Sequence, residues 1–276
     1  MKRTLFALIF FVTPLFADQP FVTAQYWGQL GNQLFQVATA CGIAWDNGAE
    51  PIFPEIHPES TSFKHFFFRL NCSPLPRPIE SEYSYNWRDS KPIPYRPNCK
   101  LLGYLQDEKV FRHHRGRLLK LFAAPPSDVR YIRQKYQWLL NHPKTVGVQV
   151  RDYIIEVGPS TQYPQYGRDF LEKAMAHFTP DHLFVISSNN VAYVKKCIPS
   201  WAKNVYILEN EPHFIDFRIL SYCKHNIITN STFGWWAAWL NTNPNKVVIT
   251  PSLWIKGRPP AYISPKEWIT IDAAYH

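Results

Sequence analysis

The residues best suited to chemistry in this sequence stand at the ends of three apolar, strand-like runs. Arg151 closes the run that begins at Thr145, Ser187-Ser188-Asn189 closes the run that begins at His182, and Asn230-Ser231-Thr232-Phe233 follows the run that begins at Asn226. An arginine presents a planar fork of donors that matches a phosphate. Serine and threonine hydroxyls at the start of a helix, together with the N–H groups that the helix leaves unpaired there, form an anion site. Asn230-Ser231-Thr232 also reads as a plain helix cap above Trp235 and Trp236, and as a glycosylation acceptor. Placement in a cleft flanked by buried residues argues against the last of these. A fourth segment, Gly28-Gln29-Leu30-Gly31-Asn32-Gln33, is a glycine turn between a strand-like and a helical stretch. Nucleotide-binding α/β units begin in this way, and so do many ordinary connectors.

These residues need elements to hold them. Residues 21–26 read as a strand, and residues 34–45 as a helix with Leu34, Val37, Ala38, Cys41 and Trp45 on one stripe. Six prolines between positions 72 and 99 mark loop or extended chain. Residues 100–104 resume as a strand, and Ser127 is placed to cap a helix running to Leu140. From Thr145 the pattern becomes regular. Strands at 145–151, 182–188, 205–208, 226–230 and 246–250 alternate with helices at 169–178, 191–197, 215–223 and 232–240, and the last strand is expected to close the series. Such alternation predicts a parallel sheet covered on both faces. Ligands of such sheets bind beyond the carboxyl ends of the strands, and that rule selects Arg151, residues 187–189 and residues 230–233.

The 276 residues are 46% hydrophobic and 18% charged, enough apolar material for a core and too little charge for a disordered chain. Thirty Lys and Arg against 21 Asp and Glu leave a net charge of +9, which favours an anionic partner. The basic residues are scattered except in residues 109–120, a run expected to be a solvated helical face, and no nucleic-acid motif stands beside it. Five cysteines with no CxxC, and no histidine pair at metal-ligand spacing, point away from a metal centre or a complete disulfide framework. Met1-Lys2-Arg3 followed by an apolar stretch to Phe16 and then Ala17 reads as an export leader at residues 1–17, with an uncleaved membrane anchor as the second reading. The stretch falls short of the ~20 residues of a comfortable membrane span.

Four segments together resemble one family. Gly28-Gln29-Leu30-Gly31-Asn32-Gln33-Leu34-Phe35-Gln36 is similar to the GGLGNQMFQ opening of the α-1,2-fucosyltransferases of glycosyltransferase family eleven, and Gly103-Tyr104-Leu105-Gln106-Asp107 to their GYFQD. The segment from Cys223 to Trp236 resembles their C-H-x-I-x-S-N-S-T-F-S-W-W, and the segment from Val248 to Trp254 their V-I-x-P-x-x-W. The matches keep the family's order across nearly the whole chain after the leader. Two segments depart from it. The family's H-x-R-R-x-D-Y stands here as Gln149-Val150-Arg151-Asp152-Tyr153, with glutamine for histidine and one arginine fewer, and its S-D-D as Ser187-Ser188-Asn189.

The resemblance implies an α/β protein of the GT-B type, with two Rossmann-like domains facing a cleft: residues 20–140 on the acceptor side and 141–276 binding the nucleotide sugar. It implies GDP-fucose as donor substrate, no cofactor, no metal, and inverting transfer to a hydroxyl of a galactose-containing glycan. A protein that kept the fold and binds glycan or nucleotide sugar without turnover is the alternative. Arg151 is then expected on the leaving diphosphate with Ser231, Thr232 and Phe233. Gly31, Asn32 and Gln33 are expected to line the cleft from the opposite domain, and Gln149, Ser188 and Asn230 to complete the donor site. Asn189 would accept from the guanine edge through its carbonyl, where related enzymes use a carboxylate. Asp152 is the one carboxylate within the strand-end segment, hence a candidate base or a partner that holds Arg151, and Glu156 lies four residues on.

Overall fold

Apolar runs that alternate with helices resolve into two parallel sheets. The computed structural model describes residues 19–86, 92–159, 161–258 and 263–275, so the leader expected at 1–17 lies outside the described residues. The first sheet contains β1 (Phe21–Ala24), β2 (Glu50–Pro51), β3 (Ser81–Ser84) and β4 (Cys99–Leu102) in the order β2-β1-β4-β3. Helix α1 (Leu30–Asp46) joins its first two strands. The second sheet contains β5 (Thr145–Val150), β6 (Leu183–Ser188), β7 (Val205–Ile207), β8 (His225–Ile228), β9 (Val248–Pro251) and β10 (Ile269–Ile271). Its order, β10-β9-β8-β5-β6-β7, reverses between β5 and β8. Counted from β5 this is the 3-2-1-4-5-6 order of dinucleotide-binding sheets, whose ligands sit at that reversal.

Helices α2 (Arg115–Leu121) and α3 (Pro126–Leu140) lead out of the first sheet. The short α4 (Ile154–Val157), α5 (Arg168–Met175), α6 (Val191–Cys197), α7 (His213–Tyr222) and α8 (Thr232–Leu240) connect the strands of the second. Helix α3 packs Ile132, Tyr136 and Leu139 against Val185 of β6 and Ile219 of α7. Among the described residues, no helix is long and apolar enough to cross a membrane.

The central element is α8. Trp235 and Trp236 pack against Phe35 of α1 and Phe111, and Trp239 packs edge-on to Phe111; Phe35 approaches the Trp235 ring at 4.5 Å between centroids. One hydrophobic core therefore runs from the first sheet through α1 into α7 and α8. This explains why α1 is buried on all sides from Leu34 to Ala44 and not along one stripe as its sequence suggested.

Boundaries differ from expectation where short-range signals compete. Helix α1 starts at Leu30, so Gly31, Asn32 and Gln33 form its first turn and are not a separate loop. Strand β3 lies inside the proline-rich stretch, paired in parallel with β4. Ser127 does not cap α3: Pro125 holds the cap position and Pro126 the first turn, where a missing N–H costs nothing. A sixth strand, β10, follows the one expected to close the series.

Candidate active site

Two helix N-termini meet at the carboxyl ends of the strands. Gly31 lies in the first turn of α1 and Thr232 opens α8. A Cβ on Gly31 would come within 2.6 Å of the Phe233 amide nitrogen and closer still to Thr232, so only glycine permits this approach. Neither helix has an acidic residue in its first turn or a side-chain cap. Each therefore offers unpaired N–H groups and the positive end of its dipole, and two such ends side by side repel unless an anion lies between them. The Thr232 hydroxyl donates to Asn32 Oδ1 (3.3 Å), which also accepts from Gln106 Nε2 (3.0 Å); this turns the Nδ2 end of the Asn32 amide toward other acceptors. At the other end of α8, Arg115 donates to the carbonyls of Trp239 and Asn241 (both 2.9 Å), and Lys246 Nζ to those of Ala238 and Asn241. Cations at that end favour the same dipole. The basic run at 109–120 is thus partly structural: Arg115 holds α8, and Arg117 lies 3.8 Å over the Trp45 ring.

Arg151 follows β5 at the reversal of strand order, its N–H donating to Thr229 Oγ1 beyond β8 (3.0 Å). Its guanidinium reaches Glu156 at two points, Nε to Oε2 at 2.9 Å and Nη2 to Oε1 at 2.5 Å. Asp152, expected as base or as the partner of Arg151, is only 5% exposed. Its Oδ1 accepts from the backbone N–H groups of Ile154 and Ile155 (2.9 and 3.3 Å) and its Oδ2 from Asn190 Nδ2 (2.7 Å). The carboxylate is committed to the start of α4, and Glu156 takes the place beside Arg151.

The other expected residues line the same cleft. Gln33 is locked in the glycine turn, accepting from Tyr26 and Ser62 hydroxyls and donating to the Gly28 carbonyl. Gln149 is buried beneath α8, its Oε1 facing Gly234. Asn230 is 3% exposed, donates to the carbonyls of Pro164 and Trp254, and keeps a buried Oδ1 without a partner. Burial removes it as a glycosylation acceptor. Phe233 packs edge-on to Phe217. Ser188 bonds locally to Asn190. Asn189 is turned to the backbone of Asp152, accepting from its N–H (2.8 Å) and donating to its carbonyl (2.9 Å). Its carbonyl therefore serves the β5–α4 turn.

A buried carboxylate oxygen without a partner stands in the cleft on α7. Asp216 lines the cleft, takes the Ser187 hydroxyl on Oδ2 (2.6 Å), and keeps a buried Oδ1 without a partner. Burial pushes its carboxyl up to about 7, with Ser187 opposing and Glu211 adding to the shift. The strand-end rule does not reach it; the one signal in the sequence is a carboxylate in the first turn of a helix whose other buried positions are mostly apolar. His113 and His114 are adjacent in sequence and so lack a metal-ligand spacing, yet their Nε2 atoms both reach Asp46 Oδ1 (2.8 and 2.7 Å). These three could share a cation. They lie at the far end of α1 from the cleft, about 24 Å away along a 17-residue helix.

Parallel sheets facing one cleft, with the nucleotide-type strand order in the second, define the GT-B class of α/β proteins. The fold is similar to that of NodZ α-1,6-fucosyltransferase soaked with GDP-fucose, with TM-score 0.56 and 14% identity over 87% of this chain and 98% of that one. It is similar also to an Arabidopsis thaliana FUT1 mutant in complex with GDP, with TM-score 0.58 and 14% identity over 91% and 74% of the two chains. Residues 17–272 match glycosyl transferase family 11, and the chain belongs to that family. Relatives include the O-antigen biosynthesis glycosyltransferase WbnK of Escherichia coli, 28% identical over 63% of this chain and 64% of that protein. Galactoside alpha-(1,2)-fucosyltransferase 2 of Oryctolagus cuniculus is 29% identical over 79% and 66%, and galactoside alpha-(1,2)-fucosyltransferase 1 of Rattus norvegicus 30% over 89% and 71%. The chain spans just under two thirds of the length of the first two.

Proposed function

We propose that this chain is an inverting α-1,2-fucosyltransferase that moves fucose from GDP-fucose to a hydroxyl of a galactoside. The observation that carries the reading is the meeting of two uncapped helix N-termini beside Arg151, a built site for a diphosphate. The named activities of the relatives supply the identity of the sugar and linkage. In the reaction, the acceptor hydroxyl oxygen attacks the anomeric carbon of fucose from the face opposite the diphosphate. The bond from that carbon to the diphosphate oxygen breaks, and GDP departs with the electron pair. Arg151 and the N–H groups of α1 and α8 stabilise the charge that develops on it, the task that a preorganised positive field performs in transfer enzymes. We assign no metal to this step, because the positive charge it needs is furnished by the chain.

The hydroxyl proton must pass to a base. Of the carboxylates that line the cleft, Glu211 is engaged by Lys135 and the Tyr131 and Tyr136 hydroxyls, and Asp216 stands with Ser187 over β6. We assign the proton to Glu156, beside Arg151, and the guanine N–H edge to Asp216. The alternative of a binding protein without turnover draws no support from this geometry. The test is GDP binding by thermal shift together with transfer from GDP-fucose to lactose. Binding raises the melting temperature by mass action. A chain that neither binds GDP nor transfers fucose would overturn the reading.

A further inference from the structure

The donor reading leaves the acceptor without a seat, and two pairs of stacked rings at the cleft mouth supply one. Trp27 and Tyr104 stand parallel, with centroids 4.8 Å apart and planes within 3°. Tyr153 and Tyr163 stack at 4.5 Å and 16°. Tyr104, Tyr153 and Tyr163 line the cleft, as do Tyr26 and Gly28 on either side of Trp27. Trp27 stays 44% exposed although Tyr104 covers one of its faces. The ring area left open lies beside the cleft, where a ligand can reach it. The two pairs come from opposite sides of the cleft and are near enough that Tyr163, after burial, contributes to raising the Tyr104 hydroxyl.

Sheet order says which end of the donor meets them. Strands run β9-β8-β5-β6, so Ser187 and Asp216 lie over β6 on one flank of Arg151. Tyr153 lies on the other flank: its hydroxyl donates to the Asn230 carbonyl beyond β8 (2.7 Å), which holds the ring in place. With the guanine at Asp216 and the diphosphate at Arg151, the sugar end of the donor points toward the tyrosines. We propose that the ring pairs Trp27–Tyr104 and Tyr153–Tyr163 form the acceptor platform, taking the apolar C–H face of a pyranoside and leaving its hydroxyls turned to the reacting centre. A pyranose ring presents such a face to aromatic carbon, where burial and dispersion favour it without fixing its polar groups. The proposal rests on the donor orientation proposed above.

The test is saturation-transfer NMR with lactose on the full chain, with and without GDP, alongside an independent titration of GDP. Saturation is expected on the galactose C–H protons of lactose. In Trp27→Ala it should fall at least fivefold and in Trp27→Phe less than twofold, while GDP affinity is unchanged in both. In the transfer assay Trp27→Ala should raise the acceptor KM and leave the donor KM within twofold. Exposure of Trp27 makes the variant tolerable to the fold, and its melting temperature checks that. Absence of lactose saturation in the wild type, or saturation equal to wild type in both Trp27→Ala and Tyr104→Ala, would overturn the platform. Failure of GDP to bind, with the lactose results as expected, would instead overturn the donor reading and leave a galactoside-binding platform.

Discussion

Arg151 and Glu156 bind each other at two points in the cleft where the proposed reaction calls on the arginine for the diphosphate. In the exchange we propose, the diphosphate takes the Nε–Nη2 edge that now holds Glu156, which draws Arg151 off and leaves that carboxylate free to take a proton. Glu156→Gln should therefore tighten GDP, by about 1.5-fold to fivefold for the loss of one competing pair, while transfer to lactose falls steeply. Arg151→Ala should lose both GDP affinity and turnover. Weaker GDP binding in Glu156→Gln, measured by calorimetry, would sink the exchange.

Asp216 should make GDP affinity sensitive to pH. Its folded pKa, about 7, is raised above the ordinary carboxylate value. In the proposed site the ionised form accepts from guanine, so GDP should bind more weakly as pH falls from 8 to 6. The same shift means that the folded chain holds a proton the unfolded chain has released. This contribution to stability is full below about pH 4 and is lost as pH rises to 7, by at most about 1.4 kcal/mol per unit. Asp216→Asn should flatten both profiles, melting higher than wild type at pH 8 and binding GDP less tightly there.

Gly31→Ala places a methyl group against Thr232 and Phe233 at the joint of two helices. The backbone must shift, at a cost of about 1–3 kcal/mol or more. Lower thermal stability with weaker GDP binding is expected, whereas Gly116→Ala, where a Cβ meets nothing within 4 Å, should keep both.

Asp152→Asn keeps one acceptor for the start of α4 but brings a second amide to face Asn190. A stability loss of about 0.5–2 kcal/mol is expected, as for other cap residues, with transfer reduced much less than in Glu156→Gln. Loss of transfer at unchanged stability would return Asp152 to the role of base.

Much of this was legible in the residues. Helix residues 191–197 and 232–240 and the strand ends at Arg151 and Asn230 follow from apolar period and from what a helix start needs, both local properties. What was not legible depended on partners far along the chain. Strand β10 is three residues long at a sheet edge and carries little apolar signal of its own. The first turn of α1 reads as a loop until Thr232 is seen to pack against Gly31. Asp152 looked catalytic because only the fold reveals Asn190 beside it, and Asp216 looked like any residue in a helix because its burial is tertiary.

The aromatic seam through α8 also bears on how the cleft can work. Trp235 and Trp236 are fully buried between α1 and the second sheet, and Arg218 of α7 grips the carbonyls of His65 and Phe122. Sheets joined by a continuous core cannot swing apart like the arms of a hinge without exposing indole rings to water. This protein is built as a fixed jaw. In the proposed reaction, substrate entry and GDP release then fall to side chains and to the short segments at the rim, so exchanging those segments should alter acceptor preference while the tryptophan seam stays untouched.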